Sequence, residues 1–170
     1  GTCTWITDHD QFLKWRDSPK DNILWLSGSP GSGKTIAMRY LIETLRRWLQ
    51  QRDHVTGEFS VVMFCFCNSN DWLRNGRTQI LVSLLSQILS QDRRSFRYLD
   101  HSELEKYISS VKDSPQSSGE EHADFLWKCL STILKRSKNL SFWVFIDALD
   151  ELSPNSRIEL LHHFTGLVGE

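Results

Sequence analysis

Eight consecutive residues have the composition of an anion cradle: Gly28-Ser29-Pro30-Gly31-Ser32-Gly33-Lys34-Thr35. Glycines let a turn wrap closely around a ligand, in conformations that other residues avoid. Successive backbone N–H groups then point inward, and the positive end of a following helix adds to the field. This chemistry suits the phosphates of a nucleoside triphosphate, ATP or GTP. Lys34 is placed to bridge the β- and γ-phosphates, and the Thr35 hydroxyl to ligate Mg²⁺. The four fixed positions would coincide by chance in fewer than about 1 in 100 chains of this size.

A second group answers the first. The run Phe142-Trp143-Val144-Phe145-Ile146 ends in Asp147, followed by Ala148-Leu149-Asp150-Glu151. A carboxylate at the tip of a buried strand is a Mg²⁺ partner for a phosphate loop, acting mostly through the ion's retained waters. Asp150 and Glu151 are the candidates to polarise an attacking water as a base. The plainer reading of that pair is a solvated acidic loop or a helix cap. Arg74 and Arg77 could approach the γ-phosphate side, with a solvated loop as their plainer reading.

These groups need elements to hold them. Ile23-Leu24-Trp25-Leu26-Ser27 is a short apolar run stopped by Gly28, as expected of a buried parallel strand. From Lys34 the period changes: Ala37, Met38, Leu41, Leu45, Trp48 and Leu49 recur at three and four, as in an amphipathic helix. Val61 to Phe66 reads as a second strand, with the loop after it punctuated by Asn68 to Asp71 and Asn75-Gly76. Further helices are expected around Ile80–Leu89, Ser102–Val111, Phe125–Leu134 and Ile158–Leu167. The stretch from Lys112 to Gly119 reads as an exposed loop. Near the start, Asp8 and Gln11 have capping-box spacing ahead of a helix carrying Phe12, Leu13 and Trp15 and ending before Pro19. Alternation of strand and helix indicates an α/β sandwich with a parallel sheet. In such sheets ligands bind beyond the carboxyl ends of the strands, where both Gly28 and Asp147 fall.

Bulk composition narrows the function classes. Seven Trp and nine Phe in 170 residues supply a core and argue against disorder. A net charge of −1 offers no global field for nucleic acid or an anionic membrane. No apolar run approaches the ~20 residues of a membrane span. Cys3, Cys65, Cys67 and Cys129 lack zinc-site spacing and read as reduced, mostly buried thiols, which suits a cytoplasmic setting. The six His form no metal pattern; His162 and His163 are expected at the surface or in helix packing. Trp25, Phe64, Phe66, Trp143 and Phe145 are expected in the core. Trp5 and Ile6 are also expected to pack there, with contact to a nucleotide base as the alternative. The start, without Met or a signal-peptide pattern, reads as an excerpt of something longer.

Several blocks in order resemble the NACHT family of STAND-type signalling NTPases, and more narrowly the nephrocystin-type NACHT domains of fungal NOD-like proteins. They are Cys3-x-Trp5-Ile6 with Phe12-x-x-Trp15, Leu24-Trp25-Leu26-Ser27 running into the Gly28–Thr35 loop, and Phe64-Cys65-Phe66-Cys67-Asn68-Ser69-Asn70. Ile80-Leu81-x-x-Leu84-Leu85-x-Gln87 and Phe145-Ile146-Asp147-Ala148-Leu149-Asp150-Glu151 complete the set. The resemblance covers nearly the whole chain. It implies a three-layer P-loop NTPase sandwich, with residues 1–20 as a lead-in helix and 21–170 as the core through the Asp147 motif. It also implies slow hydrolysis as a regulatory switch, flanking effector and repeat domains, and self-association on activation. By position, Lys34 and Thr35 are its phosphate and Mg²⁺ residues, Asp147 its second metal residue, and Asp150 and Glu151 its hydrolysis residues. The family places one more strand, absent by residue 170, between the Gly28 and Asp147 strands. Residues 1–170 alone are therefore expected to hydrolyse nucleotide weakly or not at all.

Two other classes stay open. A nucleotide-holding scaffold would bind without turnover. A small-molecule kinase would need a lid and an acceptor site, and neither is evident. A transporter-type ATPase is disfavoured because no Leu-Ser-Gly-Gly-Gln signature lies between the two motifs.

Overall fold

The computed structural model describes residues 3–18, 20, 22–67, 76–113 and 119–168. Two short helices, α1 (Thr4–Thr7) and α2 (Asp10–Arg16), precede the long α3 (Lys34–Thr56). Strand β1 (Phe59–Phe66) follows, then α4 (Arg77–Gln91), a 3-10 turn (Arg93–Tyr98), α5 (His101–Asp113) and α6 (Gly119–Arg136). Strand β2 (Leu140–Asp147), a second 3-10 turn (Leu149–Glu151) and α7 (Pro154–Val168) complete the order.

Among the described residues the sheet has two strands, paired in parallel from Phe59 opposite Leu140 to Phe66 opposite Asp147. Strand residues alternate between faces, and the alternation divides the core. Val61 and Met63 join Ile80, Leu84, Ile88, Leu130 and Ile133 on the α4–α6 side. Val62 and Phe145 join Phe12, Leu41, Ile42, Leu45 and Leu49 on the α2–α3 side. Helices therefore cover both faces of a mixed α/β core. By the same parity Asp147 lies on the α3 face, as Trp143 and Phe145 do.

The expected strand at Ile23–Ser27 does not form. Leu24 and Leu26 turn toward the α3-side core, whereas Ile23 is 50% and Trp25 59% exposed. An apolar run becomes a strand only when a neighbour satisfies its N–H and C=O groups. No ladder reaches this segment among the described residues. Trp25 is thus surface, while Phe145 is buried and Phe64, Phe66 and Trp143 are half-buried.

Local signals also shifted. The capping box is replaced by His9, whose Nδ1 accepts the Gln11 N–H at 3.2 Å, while Asp8 ends α1. Ile6 is buried as expected and Trp5 is exposed. Arg77 is not a solvated loop residue. It opens α4 at 7% exposure and ties three helices together, reaching Asp124 at 2.9 Å and Glu159 at 3.1 Å. Arg74, the Asn68–Asp71 and Asn75 loop, and most of the expected 112–119 loop lie outside the described residues; α5 extends to Asp113 and α6 begins at Gly119.

Beside Arg77, His163 stacks flat on Trp127 at 4.3 Å, with its Nδ1 buried and unpartnered. Burial, then the Arg77 charge, hold its pKa below the ordinary 6.5; Asp124 and Glu159 oppose this and His162 adds to it. The unfolded chain therefore takes up this proton first on acidification. His163 contributes stability that is present above about pH 6.5 and declines as pH falls toward its folded pKa. Urea midpoints measured from about pH 7.5 down to about 5.5 should fall more steeply for the natural protein than for His163→Phe. Parallel curves would refute this assignment.

Candidate functional site

The Gly28–Thr35 loop has the local geometry of a phosphate cradle. The Ser32 N–H donates to the Ser29 carbonyl at 3.2 Å, closing a turn over Pro30 and Gly31. Gly31 and Gly33 have φ of 76° and 84°, where a side chain would be strained by about 1–2 kcal/mol. A Cβ on Gly28 would stand 2.8 Å from the Ser32 hydroxyl, which would have to turn aside to admit it. Gly33 is the N-cap of α3 and has no side chain to bond the first-turn N–H groups. With no capping side chain, those donors and the positive helix end remain available to a ligand at the loop. The Lys34 ammonium folds over the loop, donating to the Gly28 carbonyl at 2.8 Å and the Ser29 carbonyl at 3.0 Å. Thr35 is exposed. An uncapped helix start with a cation beside it, behind a turn with glycine at 28, 31 and 33, suits a polyphosphate anion.

The acidic motif is built differently. Asp147 ends β2 at 6% exposure, and its carbonyl accepts the Cys67 N–H at 3.1 Å. Ala148 follows in the left-handed region at φ 56°, a conformation costing an alanine about 1–2 kcal/mol. That kink starts the Leu149–Glu151 turn, closed by the Glu151 N–H on the Ala148 carbonyl at 3.0 Å. Asp150 and Glu151 are exposed on it. Such strain at the tip of a strand is where functional geometry is commonly stored.

The structure puts Asp147 on the face that α3 covers, and α3 begins at the phosphate-type loop. Lys34 bonds the loop's own carbonyls rather than Asp147. Cys67 marks how close the acidic groups come to the end of β1. Its thiol is pushed well above the ordinary range by the Cys65 sulfur, by burial and by the charges of Asp147 and Glu151. Sequence reasoning missed this acidic neighbourhood of Cys67, which arises from the β1–β2 register. A separate cavity of about 240 Å³ lies on the α4 side of β1, against Phe66, Gln79, Ser83 and Gln87. Neither the loop nor the acidic turn lines it. Among the described residues no helix is long and apolar enough to cross a membrane, and no cluster of His, Cys, Asp and Glu has metal-site geometry.

The chain is 25% identical over 153 residues to Vegetative incompatibility protein HET-E-1 of Podospora anserina, an alignment covering 86% of this chain. The match spans only 10% of that relative's length. No solved structure matches the chain. The family model for nephrocystin 3, N-terminal, matches residues 1–169. From the glycine loop through the acidic turn, this chain belongs to the nephrocystin 3 N-terminal family.

Proposed function

We propose that this chain binds a nucleoside triphosphate, ATP or GTP, and serves as the NACHT-type switch of a cytoplasmic NOD-like signalling protein. One observation carries the reading: the positive-φ glycine turn that delivers Lys34 to the uncapped start of α3. In this reading the loop N–H groups hold the phosphates. Lys34 leaves the Gly28 and Ser29 carbonyls to contact β- and γ-oxygens. The Thr35 hydroxyl and the Asp147 carboxylate would hold Mg²⁺, which when bound neutralises phosphate charge. Asp150 and Glu151 orient a water and accept its proton. The nephrocystin 3 family match and the small share of HET-E-1 covered support a module within a longer protein, flanked by effector and repeat domains. Self-association on activation belongs to the same proposal.

The scaffold reading has its own support. The Ile23–Ser27 segment is outside the sheet and both candidate bases are exposed, a loose arrangement for catalysis. Single-turnover hydrolysis by the full-length protein separates the two. The switch predicts slow hydrolysis that falls by about 100-fold or more in Glu151→Gln while binding is retained. Absence of hydrolysis in both proteins, with binding intact, would leave only the scaffold.

A further inference from the structure

Parity turns the backbone of Val62 and Phe64 away from β2, toward the outer edge of β1. Two glutamines of α4 meet them there. The Gln91 amide accepts from the Val62 N–H at 3.2 Å and donates to the Val62 carbonyl at 3.0 Å. The Gln87 amide does the same for Phe64, at 3.0 and 2.8 Å. At the start of the strand the Ser60 N–H donates to the Asp53 carboxylate at 2.6 Å. A side-chain amide presents one donor and one acceptor, as a peptide group does. Four residues of helix rise about 6 Å, close to the ~6.6 Å spanned by two strand residues. Glutamines at i and i+4 on a helix antiparallel to β1 therefore copy the bonding of a neighbouring strand. Gln87 is held in place by Ser83, whose Oγ accepts from the Gln87 Nε2 at 3.1 Å. The copy stops at Ser83, whose side chain is too short to continue it, and the 240 Å³ cavity opens at that point beside Phe66.

The edge needs such a cover. Phe-Ser-Val-Val-Met-Phe-Cys-Phe carries neither charge nor proline, the usual guards of an edge strand. Eight apolar-rich, β-favouring residues with open ladder groups would pair with the same strand of another molecule. We infer that Gln87 and Gln91 act as a surrogate strand that closes β1 against strand addition by a second copy of this chain. The assignment is independent of nucleotide binding.

The test uses the full-length protein and hydrogen exchange resolved to single amides, with sedimentation velocity alongside. In the natural protein Val62 and Phe64 should be protected nearly as well as Val61 and Met63, which face β2. In Gln87→Ala/Gln91→Ala, exchange at Val62 and Phe64 should quicken by about tenfold or more while Val61 and Met63 hold. The variant should also self-associate, with rising concentration restoring protection at those two amides. Fast exchange at Val62 and Phe64 in the natural protein overturns the inference without any variant. So does a double variant that exposes both amides yet stays monomeric at high concentration. Should the double variant not fold, Gln91→Ala alone must release Val62 and spare Phe64; equal release at both would also overturn it.

Discussion

Lys34→Ala should weaken binding of Mg²⁺-ATP to the full-length protein by at least about 100-fold in titration calorimetry. The Lys34 ammonium already sits over the loop, held by the Gly28 and Ser29 carbonyls. In the proposed function those two bonds to neutral acceptors are exchanged for charge-assisted bonds to phosphate oxygens. Each such bond is worth about 1.5–3 kcal/mol, so losing two removes about two to four powers of ten in affinity. Little folding stability should be lost with them, because the side chain bonds only exposed carbonyls. A Lys34→Ala protein that binds ATP as the natural one does would end the phosphate assignment, since no other cation in the described loop could replace it.

Leu84→Ala should lower stability by about 3 kcal/mol and the thermal midpoint by about 6–12 °C, read by calorimetry. Leu84 is fully buried, in one cluster with Val61, Met63, Leu130 and Ile133. It stands where α4 meets both the sheet and α6. A rigid two-sided site of this kind cannot collapse around a missing isobutyl group, so the cavity cost adds to the lost transfer energy. A loss below about 1 kcal/mol would show that α4 is loosely seated, and the glutamine cover of β1 would lose its support.

The phosphate-type loop and the acidic turn were legible because their chemistry is local. Glycines at 31 and 33 are needed for φ values that belong to the turn itself, and the change of period at Lys34 announces a helix wherever the chain lies. The strands at Val61–Phe66 and Phe142–Asp147 were legible for the same reason. Ile23–Ser27 was misread because its pattern matches theirs, and a strand requires a partner that no local pattern reveals. Arg77 was misread because its partners, Asp124 and Glu159, lie on other helices. The Gln87 position stood out in the family resemblance, but its role depends on which side of β1 faces α4.

The amino-acid order by itself determined the turn, the helices, two strands and the residue types of the site, since each follows from the conformational limits or periodicity of a few neighbours. Tertiary structure alone decided which apolar run joins the sheet and that Asp147 shares a face with α3. It also decided that β1's edge is closed by side-chain amides. These outcomes depend on pairing and register between segments tens of residues apart, where backbone groups find partners only after the chain has folded.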